Sequence, residues 1–278
     1  MKSSTLSRSF ILAASLAYAT LLAAQGNPAW REPFEPHKVI DNIYYVGTKG
    51  LSTYLITSPE GHIAINSSFD WTVPMIRANV EKLGFKFSDI KILLISHAHG
   101  DHCAGSALFK ELSGAKYMVM EGDVPEVEKP TGGRYPGLKV DRVLKDGDVV
   151  KLGNNVLTAR LTPGHTKGCT TWTMKAREGG KTYDVVIIGS PNVNAGYKLV
   201  NNEQYPQIAE DYERMFRVLK SLSADVYLGA HGDYYDMVAK FARMKPGAAN
   251  PFIDPDGYKR YISDKEQEFR TKLAAQKK

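Results

Sequence analysis

Four metal-ligand side chains stand within six residues at the end of an apolar run. The segment LLISHAHGDHCAGS (93–106) carries His97, His99, Asp101 and His102, in a chain with seven histidines over 278 residues. Alternate side chains of an extended stretch point the same way, so His97 and His99 share a direction. Asp101 and His102 follow where the chain curls into a helix, aimed at a neighbouring point. None of the four suits an apolar core. Imidazole and carboxylate at this density fit a pair of adjacent divalent ions, with zinc the best match to the donors. A histidine-rich surface loop, or core histidines satisfied by hydrogen bonds, explains one such residue well and four of them poorly.

Two more strand ends offer the rest. ARLTPGHTKG leaves His165 at the tip of a Pro-Gly turn, and VYLGAHGD sets His231 between small residues that let ligand and backbone come close. Alone, each reads as easily as a turn histidine. With the tetrad they make six ligands, enough for two ions and an open position for water. His37, in a polar stretch, and His62, beside Gly61, read as solvent-exposed histidines with no part in the cluster.

The elements that must carry these residues follow from periodicity. NIYYVG, STYLIT and GHIAIN read as successive strands separated by turn residues. VPMIRANVEKLG is a helix stopped at Gly84, IKILLIS a strand buried on both faces, and GSALFKELSG a helix closed by Gly114. KYMVME, VVKLG, VLTARLT, TTWTMKA and YDVVIIG add five strands, QIAEDYERMFRVLKSLS the clearest amphipathic helix, and DVYLGA a last buried strand. The charged KEQEFRTKLAAQKK reads as a terminal helix with a solvated face. That order predicts an α/β chain in which two mixed sheets pack on each other with helices outside, a four-layer αββα sandwich. Ligands fall in loops after strand ends, where a scaffold presents chemistry.

The first 24 residues stand apart. MKSSTLSR is basic, FILAASLAYATLLAA is almost wholly apolar, and a polar, proline-rich stretch follows. That is the pattern of a signal peptide cleaved near Ala24, and the apolar run falls short of the ~20 residues that span a bilayer. The expectation is a single catalytic domain over 25–278, exported to the periplasm and free of membrane spans. Removing Lys2 and Arg8 takes the 36 basic residues to 34 against 30 acidic ones, a net of +4 with no basic stripe. Nucleic acid is not suggested as a partner. Cys103 and Cys169 are too few for a disulfide framework; two buried free thiols are expected, a bridge between converging loops being the alternative.

HAHGDH with His165 and His231 resembles the metallo-β-lactamase superfamily, whose signature is His-x-His-x-Asp-His followed by single distant histidines. The resemblance covers essentially the whole chain after residue 24, and the fold hosts several reactions. After YDVVII, many hydrolases of the superfamily place a metal-bridging aspartate and two lactamase subclasses a cysteine. Ser190 stands there instead, in GSPNVN, as in the third lactamase subclass, to which GHTKGCTTW and YLGAHGDYYDM are also similar. The resemblance implies two zinc ions, the first on His97, His99 and His165, the second on Asp101, His102 and His231. It implies a monomeric hydrolase opening the amide of β-lactam antibiotics with water activated between the metals. Asp101, His99 and His165 would act at the reaction, and Ser190, Asn192 and Asn194 would grip the substrate carboxylate. Asn66 departs from a superfamily aspartate expected to bond a metal-bound imidazole. Trp71 is open between stacking on substrate and packing, and Ser106 with the Ala-Gly before it reads as helix packing. No Gly-x-Ser-x-Gly or partnered Ser-x-x-Lys suggests a serine route. Another dinuclear zinc hydrolase of the fold, a lactonase or thioesterase, is the competing reading, and a metal-binding adaptor without activity is a third.

Overall fold

Ile90–Leu94, read from sequence as a buried strand, lies well inside a seven-stranded sheet in the computed structural model, which describes residues 27–130, 133 and 135–278. The apolar 10–24 run and the proposed cleavage site lie outside the described residues, as do Thr131, Gly132 and Arg134 of the TGGRYPG loop. The sheet runs β1 (His37–Ile40), β2 (Ile43–Tyr45), β3 (Tyr54–Ile56), β4 (His62–Ile65), β5 (Ile90–Leu94), β6 (Lys116–Met120) and β7 (Arg142–Leu144), in spatial order. The first four strands are antiparallel hairpins; β4 through β7 run parallel. Parallel neighbours need crossovers, supplied by α1 (Val73–Lys82) between β4 and β5, and by α2 (Gly100–Cys103) and α3 (Ser106–Ser113) between β5 and β6. Gly114 ends α3 at φ 72°, a left-handed cap that glycine adopts without strain. α4 (Val124–Glu128) follows β6.

The second sheet holds β8 (Val149–Leu152), β9 (Asn155–Leu161), β10 (Thr170–Glu178), β11 (Lys181–Ile188) and β12 (Val226–Gly229), neighbours in that order. It is antiparallel except for the β11–β12 pair. α5 (Ile208–Ser221) makes the crossover that this parallel pair requires, followed after β12 by α6 (Met237–Arg243) and α7 (Pro255–Gln276). Alternation along β10 and β9 turns Trp172, Met174, Ala176, Leu157 and Ala159 toward the first sheet, where they meet Ile56, Ile63, Ile65 and Leu94 in one core. A second core joins the first sheet's other face to α1 and α3 through Ile76, Val80 and Phe109. Outside the second sheet α5 and α7 meet, with Phe269 packed 5.2 Å from Tyr212. The four-layer expectation holds.

Three details differ from the sequence reading. β1 and β7 were not foreseen, because edge strands of four and three residues carry too little alternation to register. The terminal helix begins at Pro255, ten residues before the charged stretch, where Asp254 accepts from the Gly257 amide as its cap. His37 and His62, expected at the surface, are buried. The His37 ring lies 4.5 Å from Phe241 with its Nδ1 bonded to the Glu35 carbonyl, and His62 meets Phe85 edge-on at 5.2 Å. Apolar neighbours distant in sequence bury them. Both remain apart from the histidine cluster, as expected.

Candidate metal centre

β4 and β5 run in one direction in the first sheet, and β9, β11 and β12 share one direction in the second. The loops after β5, β9, β11 and β12 meet at one end of the sandwich. There the structure brings six predicted ligands into two groups, His97 with His99 and His165, and Asp101 with His102 and His231. Within each group the ligand atoms lie within 4.8 Å of one another.

The second group is drawn close. Nε2 of His102 and Nε2 of His231 face each other at 3.1 Å, and Asp101 Oδ2 lies 3.2 and 3.4 Å from them. Donors about 2.0–2.1 Å from a tetrahedral zinc are spaced by roughly 3.3 Å, so the donor set and its spacing fit the ion. In the first group the three rings pack edge to face, with centroids 4.6 to 4.8 Å apart. His97 Nε2 is buried without a hydrogen-bond partner, an expensive position for a polar atom with no ion to serve.

Hydrogen bonds set which ring nitrogen is free to ligate. His165 Nδ1 donates to the Asn192 carbonyl at 2.7 Å, turning the Nε2 lone pair inward. Tyr197 donates its hydroxyl to the His165 carbonyl at 3.0 Å and accepts from His99 Nε2 at 3.2 Å, which assigns the His99 lone pair to Nδ1. His97 Nδ1 pairs with Ser96 Oγ at 3.1 Å. Asn66, expected to meet an imidazole, instead accepts from the Ser96 amide at 2.8 Å and donates to the Ser52 carbonyl. It orders the backbone just before His97, from a residue with φ 70°.

Electrostatics favour the ligating forms. Burial, reinforced by the neighbouring histidines, holds His97 far below its usual range; burial takes His165 down to about 3 and His231 to about 4. Burial works against the Asp101 carboxylate, but His102 and His231 outweigh it and hold its pKa well below the usual range. At neutral pH His97, His165 and His231 are therefore neutral imidazoles and Asp101 a carboxylate, the protonation states a metal needs.

The groups face a cavity of about 1270 Å³. One wall is aromatic: Trp71 stacks on Phe69 at 5.1 Å, Trp30 tilts against Phe69 and against His231 at 6.0 Å, and Arg31 caps Trp71 at 4.3 Å. The facing wall holds Asn192, Asn194, Tyr197 and Tyr234. Ser190 is buried, with Oγ 3.0 Å from the Tyr234 hydroxyl, which also accepts from Asn192 Nδ2 at 3.0 Å. Ser190 thus reaches the cavity through Tyr234 rather than lining it. Cys103 and Cys169 are buried free thiols, the first bonded to the Tyr135 hydroxyl. Ser106 pairs with Ser67 at 2.9 Å under α3, and a side chain at Gly105 would strike the Phe69 carbonyl, so both serve packing. Trp30, Tyr197 and Tyr234 escaped the sequence reading. Trp30 and Tyr234 stand in short 3-10 turns and Tyr197 in a loop, with no local signal beyond the aromatic ring.

Twin histidine-rich triads at the mouth of an αββα sandwich define a protein built for a pair of metal ions. Residues 47–231 match the model of the metallo-beta-lactamase superfamily, and the chain belongs to that superfamily. Among solved structures it is similar to the native FEZ-1 metallo-beta-lactamase from Legionella gormanii, at 51% identity and a TM-score of 0.86 over 88% of this chain and 98% of that one. It is also similar to BJP-1 of Bradyrhizobium japonicum, a subclass B3 metallo-beta-lactamase, at 41% identity and TM-score 0.86 over 90% and 97%. Curated relatives are more distant. Human mitochondrial persulfide dioxygenase ETHE1 is 27% identical over 117 residues, which are 42% of this chain and 40% of that protein. A hydroxyacylglutathione hydrolase of Rhodopseudomonas palustris (strain BisB5) is 35% identical over 115 residues, 41% and 39% of the two chains. The chain thus spans less than half the length of the curated relatives it matches.

Proposed function

We propose that this chain is a zinc-dependent β-lactamase, opening the cyclic amide of penicillins, cephalosporins and carbapenems and so conferring resistance to them. One observation carries the reading: the paired triads lie under a cavity in a chain 51% identical to the FEZ-1 enzyme along nearly its whole length. His97, His99 and His165 would hold the first zinc, and Asp101, His102 and His231 the second. Zinc there supplies Lewis acidity, lowering the pKa of water and polarising an amide carbonyl.

The residues supply the rest. Asp101 stays ionised and 15% exposed toward the cavity, so its carboxylate can accept a water proton in a hydrogen bond and fix the direction of attack. His99 and His165 are steadied by a single hydroxyl, Tyr197, which links the two loops across the cavity floor. Asn192 and Asn194 offer amides on the wall opposite the aromatic one, suited to a substrate carboxylate, while Asn192 Oδ1 is buried without a partner. Trp30, Phe69 and Trp71 offer ring faces to an apolar substituent.

Export to the periplasm with cleavage near Ala24 suits this chemistry, since β-lactams act outside the inner membrane. Among the described residues no helix is long and apolar enough to cross a membrane. The product of such cleavage retains Trp30, and with it the aromatic wall. The test is a panel of a penicillin, a cephalosporin, a carbapenem, homoserine lactone and a glutathione thioester, with and without chelator. Chelator-sensitive turnover of the lactams is expected. Turnover of lactone or thioester with none of the lactams would overturn the assignment.

A further inference from the structure

Asp123 lies outside both triads, follows β6 in a three-residue 3-10 turn, and is 2% exposed. Among the described residues its three side-chain hydrogen bonds go to the loops that carry the first triad. Oδ2 accepts from the Ala98 amide, between His97 and His99, at 2.8 Å, and from Thr166 Oγ1, beside His165, also at 2.8 Å. Oδ1 accepts from the Gly168 amide at 2.7 Å. The loops touch here without room to spare. A Cβ at Gly168 would lie 2.4 Å from the Asp123 nitrogen, and one at Gly122 would lie 2.5 Å from the Lys167 carbonyl oxygen.

We propose that Asp123 is the positioning residue of the first metal site: its carboxylate buckles the His97–His99 loop to the His165 loop, so the three imidazoles are assembled before the metal arrives. A carboxylate is needed because every partner donates. Asparagine in either amide orientation would press its NH2 against a backbone N–H, of Ala98 or of Gly168. The second triad receives no bond from Asp123; Asp101 and His102 ride on α2, and His231 follows β12. Loss of the buckle should therefore weaken one site and spare the other. Partners that orient metal ligands are worth about 10–100-fold in metal affinity.

The inference rests on reading His97, His99 and His165 as ligands, so its test measures zinc binding rather than turnover. In a His231→Ala background, where the second triad is broken, the zinc affinity of the first site is read by competition with a chromophoric chelator. In a His97→Ala background the second site is read alone. Asp123→Asn should weaken the first site about tenfold or more and leave the second within about threefold. Gly168→Ala, which keeps the carboxylate but forces the loops apart, should shift the same site in the same direction and serves if Asp123→Asn does not fold. Lys240→Met breaks a buried pair with Asp254, neither residue belonging to either triad, and should lower the melting temperature without moving either affinity. Equal first-site affinity in wild type, Asp123→Asn and Gly168→Ala, with melting temperatures lowered as by Lys240→Met, would reduce Asp123 to a stability role and overturn the inference. A His231→Ala parent that binds no zinc at all would remove the ligand reading beneath it.

Discussion

Two hollows of nearly equal size open at opposite ends of the same sandwich. The one at the ends of β5, β9, β11 and β12 measures about 1270 Å³, and the one at the starts of β4 and β9 about 1310 Å³. Volume does not tell them apart; unspent polar capacity does. At the far end Lys175 is paired with Asp184, and Asp41 accepts from the Arg177 amide. Asn42 donates to Asn155 and to the Thr57 carbonyl, and Asn155 donates to that same carbonyl. At the metal end, imidazole nitrogens face one another at hydrogen-bond distance, and His97 Nε2 has no partner. His102 and His231 turn Nε2 on one another, and Asp101 Oδ2 lies within 3.4 Å of both, so three donor atoms converge on one point. They gain from a shared cation.

The largest expected effect breaks that end directly. Asp101→Ala removes a donor and the group that would orient water. Its loss in kcat/KM should exceed the roughly 100-fold ceiling seen when only a partner of a ligand is lost. Zinc content per chain, measured beside turnover, should fall with it. Wild-type turnover in Asp101→Ala would place the chemistry elsewhere, and the contrast between the two hollows would lose its meaning.

Next comes acid sensitivity of the metal-free protein. His165 and His231 are held neutral in the fold at about 3 and about 4, against 6.5 in an unfolded chain. Below pH 6.5 the unfolded chain binds more protons, so stability is full above that pH and drains away as pH falls toward 4. Each such histidine contributes a slope of about 1.4 kcal/mol per pH unit in that window. His37 and His62 are lowered by burial and act in the same direction. The depression at His165 is the larger one, so His165→Gln should flatten the melting profile between pH 6.5 and 5 more than His62→Gln does. Equal flattening would mean that the two ends differ less than their geometry says.

The contrast also marks what sequence can reveal. His97, His99, Asp101 and His102 were legible because six residues of strand and helix onset fix their directions locally. His165 and His231 were legible because each follows a strand and precedes a small-residue turn. Asp123, Tyr197 and Trp30 were not, since each acts by meeting a loop 25 to 201 residues away that periodicity cannot align with it. Asn66 was placed in the right neighbourhood with the wrong partner: its side chain reaches the Ser96 backbone, one residue short of the imidazole. Burial of His37 and His62 was missed for the same reason, because the rings that enclose them come from elsewhere in the chain.

A smaller effect sharpens the picture of the metal-end cavity. Trp71 is 37% exposed, stacks on Phe69 and has the Arg31 guanidinium 4.3 Å from its ring centroid. Aromatic pairs are worth about 0.5–1.5 kcal/mol, or roughly 2- to 12-fold. Trp71→Ala should therefore raise KM for lactams bearing an aryl side chain by that factor, with kcat nearly constant. Lactams lacking the ring should be indifferent. A uniform loss across both sets would mean that Trp71 supports the loop rather than the substrate.

The smallest expected effect is the most exacting check on the comparison. Arg160 on β9 lines the far hollow, and its Nε is buried without a partner. With His62 Nδ1, also buried without a partner, it is an exception to the rule that polar groups there are spent. Yet Arg160 belongs to none of the metal-binding groups found among the described residues, and Arg has no lone pair to offer a cation. Its strand continues to Leu161 and then to the loop of His165, so any influence on catalysis would have to pass along the backbone. The hydrogen bonds of Thr162 to Cys169 and Thr171 stand in the way, holding that loop from its own base. Arg160→Ala should therefore leave kcat/KM for lactams within about twofold, since surface changes away from a site stay within about 0.5 kcal/mol. A tenfold loss with unchanged melting temperature and zinc content would show that the two ends of the sandwich communicate, and that unspent polar capacity matters at both.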